Sequence, residues 1–446
     1  MSVIGEAIEY YHELLSKHVA STVTGLNQAT EKLRLTVVGR PVCNVLRPLF
    51  LDKQTYEMVR NASSTVMQAF RKLSDRLYRD AALRAQLQLI PETEEALKID
   101  TGYGAADVSA RLDGFLGSDG SFHFVEYNAD SPGGIGFGDA LADAFLSFPI
   151  LKEFSKTFHV ETIPVRQRTL EALMSAYQRW GGKGKPSIAI VDWHNSPTFN
   201  EFLLMQEHFN RNGYSSVIAD PGDLEFRNGT LYAASQPVQF VYKRVVVGEL
   251  FQKFGLNHPL IEAVKARAVC MANGLAVQML FNKMLFAFLS DPAYEVVEPK
   301  TRATIDRHIP WTRIVREGRT THFGKDADLL SYISEHRERF VLKPVSEYGG
   351  KGVVLGWECT SEQWANTIQA ALKSSYVVQE RVPVGIEIYP SYIDGSISMD
   401  ERFFDLDPYV WNGIDVDGCG VRLSRAALLN VSAGGGSATP MMIVSR

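Results

Sequence analysis

Apolar positions in the first hundred residues recur at helical spacing. In TYEMVRNASSTVMQAFRKLSDRLYRD, Met58, Val66, Phe70, Leu73 and Leu77 share one face, which predicts a helical N-terminal region over residues 1–100. From Ala110 the period drops to two. ARLDGFLG and SFHFVEYNAD read as two strands joined by a Ser118-Asp119-Gly120 turn and followed by the glycine-rich loop SPGGIGFGD, which predicts an antiparallel hairpin ending in a polar loop. After the linker GGKGKPS, the apolar runs SIAIVDW, SSVIAD and QFVYKRVVV alternate with the helical stretch FNEFLLMQEHFNRNGY and an Asn-Gly hairpin, LEFRNGTLYA. That order predicts one doubly wound α/β lobe over 185–260. Helical spacing returns in AVQMLFNKMLFAFLSD, and strands follow at FVLKPV, GVVLGW and SYVVQERV. The chain thus divides at 1–100, 101–184, 185–260 and 261–446.

Composition narrows the class. At 446 residues with 45% hydrophobic content, the chain can bury a large core and should form roughly two to four structural units. A formal charge of −5 supplies no overall basic field, so small molecules, and not nucleic acid, are the expected partners. The four cysteines are far apart, without a C-x-x-C pair, and the ten histidines form no H-E-x-x-H pattern, so neither a disulfide framework nor a zinc site is expected. The start interleaves Glu6, Glu9 and Glu13 with its apolar residues, unlike a signal peptide, and no stretch is apolar enough to span a bilayer. A cytoplasmic location is expected. Asp415-Val416-Asp417-Gly418 falls short of a calcium loop, and Gly134-Ile135-Gly136-Phe137-Gly138 has the wrong spacing for dinucleotide binding.

Four constellations carry candidate chemistry. In RFVLKPVSEYGGKGVVLGW, a strand delivers Lys343 and a loop supplies Glu347, Gly349, Gly350 and Gly352. Glycines let backbone N–H groups approach phosphate oxygens, and the lysine adds positive charge. The loop is not a Walker motif, because Gly352 follows Lys351, and in a protein kinase the glycine loop would precede the lysine strand. Downstream, Val377 and Val378 lead into Gln379, Glu380, Arg381 and Val382, a strand end at which an adenine could dock between apolar side chains. Period-two spacing places Arg111 with Asp113, and Glu126 with Asn128, on common faces of the first hairpin. Such oxygen ligands suit magnesium, which takes few carboxylates along with substrate phosphates. Finally, Arg422 and Arg425 precede the glycine- and serine-rich stretch Ser432–Thr439, held between LLNV and MMIV, which reads as a tethered loop able to close over a site.

In this order the motifs resemble the circularly permuted ATP-grasp ligases, particularly glutathionylspermidine synthetase and eukaryotic-type glutathione synthetase. Arg111-Leu112-Asp113 and Glu126-Tyr127-Asn128-Ala129-Asp130 are similar to the R-x-D and E-Y-N-A-D strands of the former. Lys283 beside LSD, the Lys343-Pro344 to Glu347 loop, and Arg422 before SAGGGSAT look like landmarks of the latter. The resemblance covers about residues 100 to 446. It implies an α/β, circularly permuted ATP-grasp fold with an inserted α/β substrate lobe, the metal hairpin and part of the ATP-grasp core at 101–184, and ATP-binding subdomains at 261–446. It further implies that Lys283 and Lys343 hold ATP phosphates under Gly349 and Gly350, with Gln379, Glu380 and Val382 around the nucleotide. Asp113, Glu126, Asn128 and Glu347 would carry Mg2+, while Arg111 and Arg422 face charge building at a reacting carboxylate. Ser131 and Arg244 are candidate substrate contacts, and a homodimer is an expectation of the same kind. Two departures stand out: SEYGGKG replaces an uninterrupted glycine run, and the lobe matches only in the order of its elements. The expected activity is ATP-dependent joining of a carboxylate to an amine. A nucleotide-binding pseudoenzyme and a phosphotransferase that stops at the phosphorylated product are the alternatives.

Overall fold

A computed structural model describes residues 2–104, 106–427 and 436–446. The N-terminal region is built on two long helices, Val3–Lys32 and Lys53–Arg79. Each begins where a side chain can satisfy an otherwise orphaned N–H: Ser2 Oγ accepts from Gly5 at 3.1 Å, and Asp52 Oδ1 from Thr55 at 2.7 Å. The second helix buries Val66, Phe70, Leu73 and Leu77. Phe70 stacks on Tyr127 with ring centroids 4.9 Å apart, so this helix backs the strand that carries Glu126 and Asn128. Full burial of such a ring contributes about 2 kcal/mol. The region is not wholly helical: Leu49–Leu51 pairs in parallel with the C-terminal strand Met441–Ser445, which pairs in turn with His159–Glu161. Three buried residues are too short a run to show a period, so sequence patterning passes over that strand.

The hairpin forms as expected. Ser109–Leu116 pairs antiparallel with Phe122–Asn128, setting Arg111 opposite Asn128 and Asp113 opposite Glu126, with a bulge after Asp113. Two distant strands extend the sheet: Asp407–Trp411 pairs with Ser109–Leu116, Tyr409 lying opposite Arg111, and Asp415–Gly420 closes the edge. A second antiparallel sheet has the order Thr312–Ile314, Tyr376–Glu380, Phe340–Pro344, Val354–Leu355. A third runs Gly385–Ile393, Ser396–Phe404, Arg422–Ser424, Gly436–Ala438.

The lobe is a four-stranded parallel sheet in the order Cys270–Ala272, Phe240–Lys243, Ile188–Val191, Ser216–Ala219. The chain leaves its first strand, Ile188–Val191, to one side and later returns on the other, which is the doubly wound arrangement. It takes in Cys270–Ala272, downstream of the expected boundary at 260, another strand of only three residues. The Asn-Gly hairpin is present, with φ of 50° at Asn228 and 72° at Gly229, as a two-residue turn with both central residues left-handed requires. Buried Asn273 fastens the lobe to the hairpin sheet: its Oδ1 accepts from the N–H groups of Val108 (2.7 Å) and Ser109 (3.0 Å), and its Nδ2 donates to the carbonyls of Ser109 (2.7 Å) and Ala129 (2.6 Å). Among the described residues no helix is long and apolar enough to cross a membrane.

Candidate active site

The three antiparallel sheets and the lobe surround a cavity of 1530 Å³. Its lining includes Arg111, Asp113, Glu126, Asn128, Ser131, Arg244, Lys283, Lys343, Glu347, Gly349, Gly350, Gln379, Glu380, Val382 and Arg422, all candidates from the sequence, but not Gly352, Val377 or Val378. The volume exceeds that of a typical single-ligand pocket and leaves room for a nucleotide beside a second molecule.

One end is built on arginine and aspartate. Arg111 Nε and Nη2 donate to the two oxygens of Asp113 at 2.7 and 2.9 Å, and its Nη1 reaches the carbonyl of Gly133 at 2.8 Å. Asn128 Nδ2 donates to Asp113 Oδ1 at 2.8 Å, and Arg422 Nη2 to Asp113 Oδ2 at 2.6 Å. Arg422 also bonds Asp405 Oδ2 through Nε at 2.7 Å and lies 3.1 Å from Asp407 Oδ2, which is 3.5 Å from Arg111. Burial alone would raise the Asp113 pKa, but Arg111 and Arg422 outweigh it and hold that carboxyl well below the usual range. Asp407 goes the other way. Its burial is only partly offset by Arg422, and the neighbouring Asp113 and Asp405 add to the rise, so its carboxyl sits well above an ordinary aspartate.

The other end is built on lysine. Lys343 Nζ donates to Gln379 Oε1 at 2.6 Å and to the Val125 carbonyl at 3.1 Å, both uncharged acceptors. Burial pushes its pKa down to about 8; Glu126 opposes that fall and Lys283 adds to it. Lys283 lies between the short helices Val277–Leu280 and Met284–Ser290. Its Nζ is 2.8 Å from Glu126 Oε1 and 2.5 Å from the Glu347 carbonyl, tying the glycine loop to the hairpin strand. The Glu347 carboxylate pairs with Lys351 at 3.1 Å, while that of Glu380 turns to Arg339 at 2.8 Å. Tyr348, from the same loop, donates its hydroxyl to Glu249 of the lobe.

The lobe meets the cavity where its strand order reverses, between the carboxyl ends of Ile188–Val191 and Phe240–Lys243, the usual ligand crevice of a doubly wound sheet. Arg244 Nη2 donates there to the carbonyls of Pro132 at 2.7 Å and Ser131 at 3.3 Å. Lys243 pairs with buried Asp130, whose Oδ2 accepts from Val247 N–H at 2.8 Å. Asp192 ends the neighbouring strand, its carboxyl raised by burial. Glu201, 2% exposed, accepts from Gly134 N–H (3.1 Å) and Gly136 N–H (2.8 Å), so a carboxylate of the protein already occupies the start of helix Ile135–Ser147.

Sequence reasoning missed Asp405, Asp407, Tyr409, Asp192 and Glu201. The first three had a signal, since FFDLDPYVW places polar groups at every second position of an apolar strand. Of the closing loop expected at residues 432–439, residues 432–435 lie outside those described, while Gly436–Ala438 is a strand paired with Arg422–Ser424, and Ser437 and Thr439 are buried.

Among the described residues no three His, Cys, Asp or Glu side chains form a ready cation cage. Magnesium does not need one, because it binds through one or two carboxylates and substrate phosphates. Asp113 and Glu126, cross-strand partners with Asn128 beside them, fit that requirement if their present cationic partners give way.

Residues 103–431 match the family described as circularly permuted ATP-grasp type 2. The chain belongs to that family. A glutathione synthetase-like effector from Globodera pallida, solved in its apo form, has the same fold: TM-score 0.61, 11% identity, and coverage of 95% of this chain and 96% of that one. Two curated relatives are similar in sequence. A putative glutamate–cysteine ligase 2-2 of Frankia casuarinae is 25% identical over 349 residues, and a putative glutamate–cysteine ligase 2-3 of Frankia alni is 24% identical over 353. Each match covers 74% of this ATP-grasp chain but only 37% and 38% of the relative.

Proposed function

We propose that the protein is an ATP- and magnesium-dependent ligase that joins a carboxylate to an amine through an acylphosphate. The observation that carries this reading is that one cavity holds two lysines, a carboxylate–carboxamide set and two arginines around a common space. A carboxylate cannot condense with an amine directly at neutral pH, because its oxygen is a poor leaving group. Transfer of the γ-phosphoryl group solves this: a carboxylate oxygen attacks phosphorus, the bond to ADP breaks, and amine nitrogen then displaces phosphate from the acyl carbon.

Lys283 and Lys343 would hold the polyphosphate, with the Gly349-Gly350 loop covering it. Asp113, Glu126 and Asn128 would hold magnesium, with Glu347 a further candidate; the ion would neutralise charge on the transferring group. Arg111 and Arg422 would face the acyl oxygen as negative charge develops there. Ser131 and Arg244, with Asp192 across the crevice, would position one substrate. The pseudoenzyme alternative is disfavoured because the phosphate-facing, metal-facing and arginine groups all stand in one place. A cytoplasmic location fits small-molecule chemistry of this kind.

The reading is tested by phosphate release from ATP and magnesium against pooled amino acids, short peptides and polyamines, followed by mass spectrometry. Release that needs both an acid and an amine, with a product one water lighter than their sum, is expected. A phosphorylated acid that accumulates and is not converted to amide when amines are supplied would instead establish the phosphotransferase, and failure to bind ATP would overturn the reading.

A further inference from the structure

The cavity lining also includes the apolar side chains of Phe137, Ala142, Ile163 and Val421. Two polar side chains of the same lining, Asp407 and Tyr409, are incompletely partnered among the described residues. Tyr409 is 1% exposed, lines the cavity, and its hydroxyl has no hydrogen-bond partner. Asp407, also 1% exposed, accepts from Gly114 N–H through Oδ1 at 3.3 Å, while its Oδ2 faces both guanidinium groups without an aligned hydrogen bond.

A buried hydroxyl without a partner is costly to a folded protein and signals a missing donor or acceptor. The charges around it are unequal as well. Arg111 is matched by Asp113 and Arg422 by Asp405, so Asp407 is a third carboxylate against two guanidinium groups. The space beside them is kept clear by backbone: a Cβ on Gly134 would lie 3.2 Å from the Tyr409 hydroxyl and one on Gly420 3.1 Å from it. The nearby N–H groups of Gly134 and Gly136 are already taken by Glu201, so they are not open to an anion.

We propose that Asp407 and Tyr409 form the receiving subsite for the amine substrate, binding it as a primary ammonium whose compact apolar body packs on this lining. An N–H of the ammonium would meet the Tyr409 oxygen, and its charge would pair with Asp407, favouring the ionised form that burial beside two other aspartates otherwise disfavours. The assignment of this cation to a substrate rests on the ligase reading; the binding itself does not.

The experiment titrates the full chain with ethylammonium chloride, followed by NMR, using tetramethylammonium, which has no N–H, as control. Saturable binding of ethylammonium alone is expected, weakened about tenfold or more in Asp407→Asn and in Tyr409→Phe. Tyr409→Phe should unfold at the same temperature as wild type or higher, since it removes a hydroxyl that lacks a partner. A lowered melting temperature with unaltered ethylammonium affinity would show a structural hydroxyl and overturn the proposal. So would loss of Mg2+ affinity, in place of ethylammonium affinity, in Asp407→Asn, which would make that carboxylate a metal ligand. Hydroxamate formation by the wild-type protein from ATP, pooled carboxylates and hydroxylamine checks the ligase reading separately. Its absence would sink that reading while leaving the ammonium result interpretable.

Discussion

The two ends of the cavity carry opposite imbalances. At the lysine end, Glu126 pairs with Lys283, and Lys343 is held only by uncharged oxygens. At the arginine end, three aspartates face two guanidinium groups. Buried charge is tolerated only when it is matched, so each surplus describes what the site is built to receive. The lysine end suits a polyanion. The arginine end suits a cation, or a reaction in which positive charge must be held back until an acyl oxygen becomes negative.

The sharpest break of this contrast is Lys343→Met. Loss of the buried ammonium should weaken use of ATP by about a thousandfold, comparable with removing a well-placed electrostatic donor, and calorimetric ATP titration would read it. If ATP still binds with wild-type affinity, the phosphate end has been misplaced.

Next is Asp113→Asn, which leaves Arg111 and Arg422 without their shared, 4%-exposed partner. Breaking one side of a buried ionic set costs about 3–5 kcal/mol. Urea denaturation should show that loss, while Glu347→Gln, whose carboxylate pairs on the loop with Lys351 at 41% side-chain exposure, should shift the midpoint little.

A pH series separates the ends without mutation. Lys343 titrates at about 8 in the fold against 10.5 for a free lysine, so its charge is penalised by burial. That penalty is present in full below about pH 8 and is relieved as pH rises towards 10.5, so stability gains with pH through this window. ATP affinity should move in the opposite sense, falling about tenfold between pH 7 and 9 as the ammonium is lost. Lys343→Arg should flatten the profile, because a guanidinium does not titrate there.

The smallest effect is at the loop. Tyr348→Phe removes one hydrogen bond from the glycine loop to Glu249 of the lobe. A partly exposed bond contributes about 1 kcal/mol, so KM for ATP should rise several-fold with little change in melting temperature. An unaltered KM would show that loop and lobe act independently.

Much of this site was legible because its chemistry lies within short segments. The Arg111–Asp113 and Glu126–Asn128 pairs sit on adjacent strands joined by a tight turn, so period put each pair on one face, while the bulge after Asp113, which no local pattern announces, set the two pairs opposite one another. Lys343 and its glycine loop, and the strand end at Gln379, were legible for the same reason. Asp407 and Tyr409 were not read, although their alternation was visible, because nothing near residue 407 announces that its strand pairs with residue 111. Asp192 and Glu201 drew no notice because acidic residues in a helical lobe are ordinary until burial makes them unusual.

The amino-acid sequence by itself therefore determined the local pieces: the hairpin, the glycine loop, the doubly wound lobe and the residue types each carries, since backbone period and turn geometry act over a few residues. Only the tertiary structure decided which charges share a space, how far each is buried and which remain unmatched. Burial and Coulomb interaction depend on distances between segments some three hundred residues apart, as for Arg111 and Arg422, and no local pattern encodes those distances.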